Sequence, residues 1–175
     1  MTRPITQDEH LALMFWKLCL GNPNQAMFQK DSPAAVKTER ATADSWTTQP
    51  MPQEGISHMD LSLPISADEM DILRMGHIPK VQEDHWFMYC TDDHIRYFRS
   101  WTGDCMFEAH FRAEGVGFLI DSLLINHALL EFMKESGDEP AAWLFRYLLT
   151  AEIGGDASDA WHDFTTIWKY HNIKH

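Results

Sequence analysis

Basic residues are few in this chain, and their scarcity excludes two classes of partner. The 175 residues include 14 Lys and Arg against 26 Asp and Glu, which gives a formal net charge of −12. A nucleic-acid-binding surface needs clustered cations that displace phosphate counterions, and an anionic membrane surface attracts the same kind of basic patch. We therefore predict no nucleic-acid partner and no membrane partner.

Long apolar runs are also missing. The longest apolar windows, residues 11–20 and 116–125, each contain a charged residue, whereas a helix that spans a bilayer needs about 20 apolar residues. Hydrophobic residues still make up 45% of the chain and aromatic residues 12%, which excludes a disordered chain. The composition predicts a soluble, acidic, globular protein.

Cysteine is scarce and has no spacing typical of a disulfide framework or a metal site. Cys19, Cys90 and Cys105 are an odd number of thiols, which predicts reduced cysteines and a cytoplasmic location. The sequence also lacks G-x-S-x-G, G-x-G-x-x-G and P-loop motifs, so no motif in it indicates nucleophilic catalysis or dinucleotide binding. We expect no metal and no cofactor.

Helices are predicted on both sides of a central β region. Residues 6–20 form a first helix that is apolar nearly all round, so it must pack on the body or on a second copy of the chain. Ser66 and Glu69 form a capping box that predicts a short helix to about Met75, with Gly76 as its C-cap. Further helices are predicted at 128–134, after Asp138, and after Ser158.

The stretch from residue 29 to residue 57 differs from the rest. It is polar, contains three prolines and has one apolar anchor, Trp46, which is typical of an irregular arm. Together with the apolar first helix, this arm suggests a homo-oligomer with exchanged N-termini. We divide the chain into an N-terminal helix and extended arm, residues 1–57, and an α+β domain, residues 58–175.

The strongest β signal lies between residues 85 and 111. Three aromatic-rich segments, 86–90, 95–101 and 105–111, are separated by turn residues at 91–94 and 102–104, which predicts antiparallel hairpins. Alternation places Cys105, Phe107, Ala109 and Phe111 on one face of the third strand. Residues 118–126 are a fourth strand or the start of a helix, and we favour a strand.

These patterns predict an α+β fold. It consists of a small antiparallel sheet of three or four strands, about residues 85–125, packed against N- and C-terminal helices. The segment from Ile56 to Leu63 is extended and is expected to end at Pro64. Both faces of the hairpin carry aromatic residues, so helices or a second protomer should cover the sheet on both sides.

The densest cluster of polar and aromatic residues is Arg96 to Gly103. Arginine forks fit phosphate or carboxylate, and aromatic rings stack on bases, so this cluster is a candidate anion site. Arg96 and Arg99 fall on opposite faces of a regular strand, and Arg99 is the better candidate. The alternative is that each arginine pairs with a nearby carboxylate. The binding hypothesis comprises Arg99, Ser100, Trp101, Thr102, Glu83 and Asp84.

A second candidate group precedes the hairpin. His77, Glu83, Asp84 and His85 are acid/base side chains on a loop at the predicted sheet edge. Asp84 and His85 do not form a relay, because adjacent side chains on an extended chain point apart. The alternative is a solvated loop with no chemistry.

Three short motifs carry a family resemblance. They are Ile78-Pro79, Glu83-Asp84-His85-Trp86-Phe87 and Arg99-Ser100-Trp101-Thr102-Gly103. Over about residues 55–127 the chain resembles a small bacterial domain of unknown function with I-P, E-D-x-W-F and R-S-W-T-G motifs. Relatives of that domain occur near ADP-ribose-processing enzymes, so the resemblance implies a nucleotide-like ligand. It marks for binding the positions Glu83, Asp84, Trp86, Arg99, Ser100, Trp101, Thr102 and Gly103.

Two functions remain open at this point. We expect a non-catalytic module that binds a ligand or another protein. The alternative is a small enzyme that acts on a nucleotide-like or other anionic substrate, with Arg99 as anion clamp and Glu83 or Asp84 as the acid/base. The enzyme needs Arg99, Trp101 and one of these carboxylates around one concave pocket. A protein-interaction module instead needs a flat apolar patch larger than a few hundred Å².

Overall fold

A computed structural model describes residues 39–80, 84–128 and 138–153. The predicted first helix, Glu83, most of the 128–134 helix and the helix after Ser158 lie outside the described residues. The described elements are, in chain order, β1 (Ile56–Ile65), α1 (Ala67–Met75), β2 (Trp86–Cys90), β3 (His94–Arg99), β4 (Cys105–Glu114), β5 (Gly117–Asn126) and α2 (Asp138–Ile153).

The sheet has five antiparallel strands in the order β1-β5-β4-β3-β2. The prediction of a three- or four-stranded sheet packed against N- and C-terminal helices is therefore wrong. The described part is mostly sheet with two helices. The missed strand is β1, which continues through Pro64 because an edge strand does not need every N–H for pairing.

The hairpins and the fourth predicted strand are confirmed. Residues 86–114 form β2, β3 and β4, and the ambiguous segment 118–126 lies in β5. The prediction that Cys105 lies on the same face as Phe107 is wrong, because the register of β3 and β4 shifts between Tyr97 and Phe98. Met106 is the extra residue of this bulge, so Cys105 and Phe107 pack in different core clusters.

The two helices cover one face of the sheet, where the main core lies. Met70 and Leu73 of α1 are fully buried in it. From α2, the ring of Phe145 lies 6.0 Å from that of Tyr97 and 5.6 Å from that of Phe107. Neither helix is long and apolar enough to cross a membrane.

The opposite face is covered in part by the arm, here residues 41–52, and not by described helices. Ala41, Trp46 and Met51 pack with Phe87 and Phe98 in a second, smaller core. The predicted anchor is confirmed. The Trp46 Nε1–H donates to the Ser100 carbonyl at 2.9 Å, and the indole stacks on Phe87 at 6.1 Å.

The short helix α1 begins and ends as its sequence predicts. The Ser66 Oγ accepts from the Glu69 N–H at 3.1 Å, and the Glu69 carboxylate accepts from the Ser66 N–H at 3.0 Å. At the other end, Gly76 has φ 72°, and a Cβ there would lie 2.5 Å from the Met88 carbonyl oxygen. A glycine is therefore required where α1 turns toward β2.

Ser66→Ala should lower the free energy of unfolding by about 1 kcal/mol, because it leaves the first-turn N–H of α1 without its acceptor. Urea unfolding followed by circular dichroism measures this loss. Ser62→Ala, at an exposed position of β1, is the control and should change stability by less than about 0.5 kcal/mol. Equal losses in the two variants would contradict the role of the cap.

Candidate functional site

Two concavities lie where the arm meets the sheet. The sheet-face cleft, of about 640 Å³, lies between arm residues 48–52 and a floor that includes Tyr89, Arg96, Phe98 and Glu108. The Trp101 groove, of about 480 Å³, lies between arm residues 44–47 and turn residues 100–103. The arm therefore contributes one wall to each concavity.

The floor of the sheet-face cleft follows one row across the sheet. Tyr89, Arg96, Glu108 and Leu124 are successive cross-strand partners on β2, β3, β4 and β5. Directly opposed residues project from the same face, so these four side chains lie side by side. Phe98, two residues after Arg96, joins the same face.

An ion pair lies at the centre of this row. The Arg96 Nε–H donates to the Glu108 carboxylate at 3.1 Å, and the guanidinium lies 5.9 Å from the centre of the Tyr89 ring. Burial by itself lowers the pKa of Arg96, but the hydrogen bond and charge of Glu108 outweigh it, so the pKa is raised. The guanidinium stays charged and positioned beside an acceptor.

An aromatic pair lies beside the ion pair. The rings of Tyr89 and Phe98 are nearly parallel, with 8° between their planes and 5.5 Å between their centres. Phe87 supports both of them from within the smaller core, at 5.9 Å and 5.7 Å. The cleft thus combines an apolar wall with one donor and one acceptor.

The thiol of Cys105 also lines this cleft, and it is protonated at neutral pH. Burial, followed by the negative charge of Glu108, raises the pKa of Cys105 to about 12. Cys90 packs in the core under the helices, so the two cysteines belong to different sides of the sheet. Among the described residues, no group of three His, Cys, Asp or Glu side chains is arranged to hold a metal ion.

A stripe of histidine–aspartate hydrogen bonds continues beyond the cleft along the same face. The His94 Nδ1 lies 2.7 Å from the Asp93 carboxylate, and the His110 Nδ1 lies 2.7 Å from that of Asp121. These hydrogen bonds lower the pKa of both aspartates. The Asp93 carboxylate is exposed and that of Asp121 is half-buried, so we assign the stripe to the solvated surface of the sheet.

The predicted site residues are divided between two sides of the sheet. Ser100, Trp101 and Thr102 line the Trp101 groove. The Arg99 guanidinium instead lies 5.4 Å from the Trp86 ring, which belongs to the core under the helices. Arg96 and Arg99 therefore point to opposite faces, as the strand period predicts.

The residues of the predicted acid/base loop contact each other and neighbouring elements. The His77 Nε2 lies 2.6 Å from the Asp84 carboxylate, and its Nδ1 lies 3.4 Å from that of Glu152 on α2. The Asp84 carbonyl accepts a hydrogen bond from the Ser100 hydroxyl at 2.8 Å. Among the described residues, Asp84 is not part of either lining, and Glu83 lies outside the described residues.

The sequence pattern did not identify the cleft, and the Arg96–Glu108 contact agrees with the alternative that each arginine pairs with a nearby carboxylate. The sequence does carry one signal for this cleft. Arg96 and Phe98 are two residues apart, so a strand places a cation and an aromatic ring on the same face. The second wall comes from residues 48–52, which have no periodic pattern. No sequence rule places such an arm over a particular strand.

Comparison with known proteins does not extend the assignment: no protein-family model, curated protein or solved structure matches this chain. The resemblance to the bacterial domain with I-P, E-D-x-W-F and R-S-W-T-G motifs thus stays a prediction. The function has to be argued from the geometry of the two concavities.

Gly103→Ala should open the junction between arm and turn. Gly103 has φ 77°, its carbonyl accepts from the Gln49 N–H at 2.8 Å, and a Cβ would lie 2.4 Å from the Thr47 carbonyl oxygen. Gly115→Ala is the matched control, because Gly115 has φ 59° with nothing within 4 Å. Because both glycines have positive φ, each variant should lose about 1 kcal/mol of the free energy of unfolding. Gly103→Ala should lose about 2 kcal/mol more, because its Cβ also clashes with the arm.

Denaturant unfolding of both glycine variants measures this difference. The expected result is a larger loss of the free energy of unfolding in Gly103→Ala, accompanied by a red shift of the tryptophan fluorescence as Trp46 becomes more exposed to solvent. Equal losses in the two variants would show that the arm does not press on the turn.

Iodoacetamide at pH 8 should alkylate Cys105 at least about a hundredfold more slowly in the folded protein than in urea. With a pKa of about 12, about one thiol in ten thousand is a thiolate at that pH. Peptide mass spectrometry over time gives the rate for each cysteine. Equal rates for Cys105 in the folded and unfolded protein would contradict its burial at the cleft floor.

Proposed function

We propose that this protein is a non-catalytic ligand-binding module that takes a small planar molecule into the sheet-face cleft. The observation that carries the proposal is the row of Tyr89, Arg96 and Glu108 beneath the arm. The cleft, of about 640 Å³, has the size of ordinary small-molecule sites. Its mixture of aromatic wall and few polar groups is also typical of them.

The polar groups of the cleft determine which hydrogen-bonding groups a ligand must carry along its edge. Arg96 offers donors beside the Glu108 acceptor, so a ring whose edge carries an acceptor next to a donor is complementary to both. The two charges compensate each other at 3.1 Å, which favours a neutral ligand over an ion. The half-buried ring of Tyr89, with the buried ring of Phe98 stacked against it, supplies an apolar contact for the ligand ring.

The chemistry of the cleft supports binding more than catalysis. Glu108 accepts a hydrogen bond from Arg96, and the Cys105 thiol has a raised pKa, so the thiol is not prepared as a nucleophile near pH 7. A planar heterocycle such as a nucleobase carries an edge of this kind, although the described positions that the motif resemblance marks for binding do not line this cleft.

The enzyme hypothesis remains the alternative. It requires Arg99, Trp101 and Glu83 or Asp84 around one anionic substrate. Arg99 lies over Trp86, while Trp101 lines the groove beside the arm. No observation therefore favours this alternative, and the substitution of Arg99 tests it below.

Four further predictions are independent of the geometry of the sheet-face cleft. A homo-oligomer formed through the N-terminal helix and arm involves residues outside the described ranges, and light scattering of the full chain tests it. A cytoplasmic location and a protein partner likewise stay predictions. An anionic small ligand is an outcome of the following experiment.

The test is calorimetric titration with adenine, adenosine, AMP and inorganic phosphate. Adenine carries an acceptor next to a donor on one edge, and it should bind to the wild-type protein. Arg96→Gln should weaken adenine binding by about tenfold or more, because a hydrogen bond from a charged group is lost. Tyr89→Ala should weaken it while leaving the ion pair intact. Arg112→Gln, an exposed arginine on the same face, should bind as the wild type does.

The alternative predicts a different pattern. AMP or phosphate would bind, and Arg99→Gln would remove that binding while Arg96→Gln would keep it. If adenine and adenosine do not bind, or bind equally to Arg96→Gln, the sheet-face cleft is not a site for this class of ligand. Circular dichroism of each variant verifies that it remains folded.

A further inference from the structure

The Trp101 groove has a chemistry of its own. Trp46 and Trp101 lie on its two walls, and Asp44 is at its rim. Trp101 is 64% exposed, which is unusual for so large an apolar side chain. An exposed indole beside a concavity is typical of a recognition surface.

The charge of the groove favours a cation. Among the described residues of the lining, Asp44 carries the one charge, and neither Lys nor Arg contributes. The whole chain has a formal net charge of −12. An anion in this groove would be repelled by Asp44 and by the field of the whole chain, whereas a cation would be attracted.

Three of the four hydroxyl groups in the lining, those of Ser45, Ser100 and Thr102, make hydrogen bonds within the protein. The Ser45 Oγ accepts from the Thr42 N–H at 2.9 Å, and the Ser100 hydroxyl donates to the Asp84 carbonyl at 2.8 Å. The Thr102 Oγ1 accepts from the Asp104 N–H at 3.3 Å. These bonds occupy part of the capacity of the hydroxyls, so a polyhydroxyl ligand such as a sugar finds fewer partners here than a ligand that needs aromatic faces and one carboxylate.

The two indoles are held in place before any ligand arrives. Trp46 is fixed by its hydrogen bond to the Ser100 carbonyl and by its stack on Phe87. The ring of Trp101 makes an edge contact with His85, with 5.2 Å between the centres. Rings that are already positioned lose little conformational freedom on binding.

We propose that the Trp101 groove binds an alkylated ammonium group, such as a quaternary ammonium or the methylated side chain of a lysine. The face of an indole carries negative potential and attracts cations, and Trp is the strongest of the aromatic side chains in this interaction. Alkyl groups on nitrogen weaken its hydration, so the cation loses less when it contacts the rings. Asp44 supplies the balancing charge. This site is separate from the sheet-face cleft and does not depend on the function proposed there.

The test uses choline and its neutral isostere 3,3-dimethylbutan-1-ol, each titrated into the full chain and followed by NMR chemical shifts. We expect choline to bind about tenfold or more tightly than the isostere, because the two differ in charge but hardly in shape. Trp101→Ala should weaken choline binding by about tenfold or more, and Trp101→Phe should weaken it less. Asp44→Asn should weaken it by a few fold and reduce its dependence on salt.

Matched variants separate this site from general effects. Val116→Ala removes an exposed apolar side chain outside the groove, and Asp92→Asn removes an exposed carboxylate from the β2–β3 turn. Both should bind choline as the wild type does. Arg96→Gln should also leave choline binding unchanged, so the failure of one site is distinguishable from the failure of the other.

Two sources of the cation are distinguished by a further titration. A short peptide with one trimethyl-lysine and the same peptide with unmodified lysine are compared with choline. Tighter binding of the methylated peptide identifies a protein partner, and equal or tighter binding of choline identifies a small molecule. Equal binding of choline and its isostere, unchanged binding in Trp101→Ala, or no binding of choline and of the methylated peptide would each overturn the proposal.

Discussion

The hydrogen bond from the Trp46 indole to the Ser100 carbonyl joins the arm to the sheet, and both concavities depend on that junction. The two described helices lie on one face of the sheet, and the arm crosses the other face from Ala41 onward. At its start the Ala41 N–H donates to the Met75 carbonyl at 2.8 Å, and further on the Gln49 N–H donates to Gly103 at 2.8 Å. Without these attachments residues 44–52 would have no fixed place, and neither concavity would have its second wall.

A single extra residue in β4 determines which side chains form the cleft floor. The bulge at Met106 turns Cys105 to the face of Phe87 and Phe98. Without the bulge, Cys105 would share the face of Phe107 under the helices. The cleft contains its thiol and the Glu108 carboxylate together because the alternation of the strand is broken once.

The charges of the two concavities differ, although they share the arm. In the sheet-face cleft, Arg96 and Glu108 compensate each other, which suits a neutral ligand with a donor and an acceptor on one edge. In the Trp101 groove, Asp44 and two indoles line the same concavity, which suits a cation. The motif at residues 99–103 suggested an anion because Arg99 and Trp101 are close in sequence. Arg99 lies over Trp86 instead, because β3 ends at Arg99 and Trp101 belongs to the turn that follows.

The sequence by itself determined the local structure. The capping box of Ser66, the glycine at position 76, the hairpins of residues 86–114 and the opposite directions of Arg96 and Arg99 all follow from local geometry and spacing. The membership of β1 in the sheet, the bulge at Met106 and the path of the arm were decided by the tertiary structure. These three depend on contacts between residues far apart in the chain, which no local pattern encodes. Both candidate sites belong to this second group, because each is formed only where the arm meets the sheet.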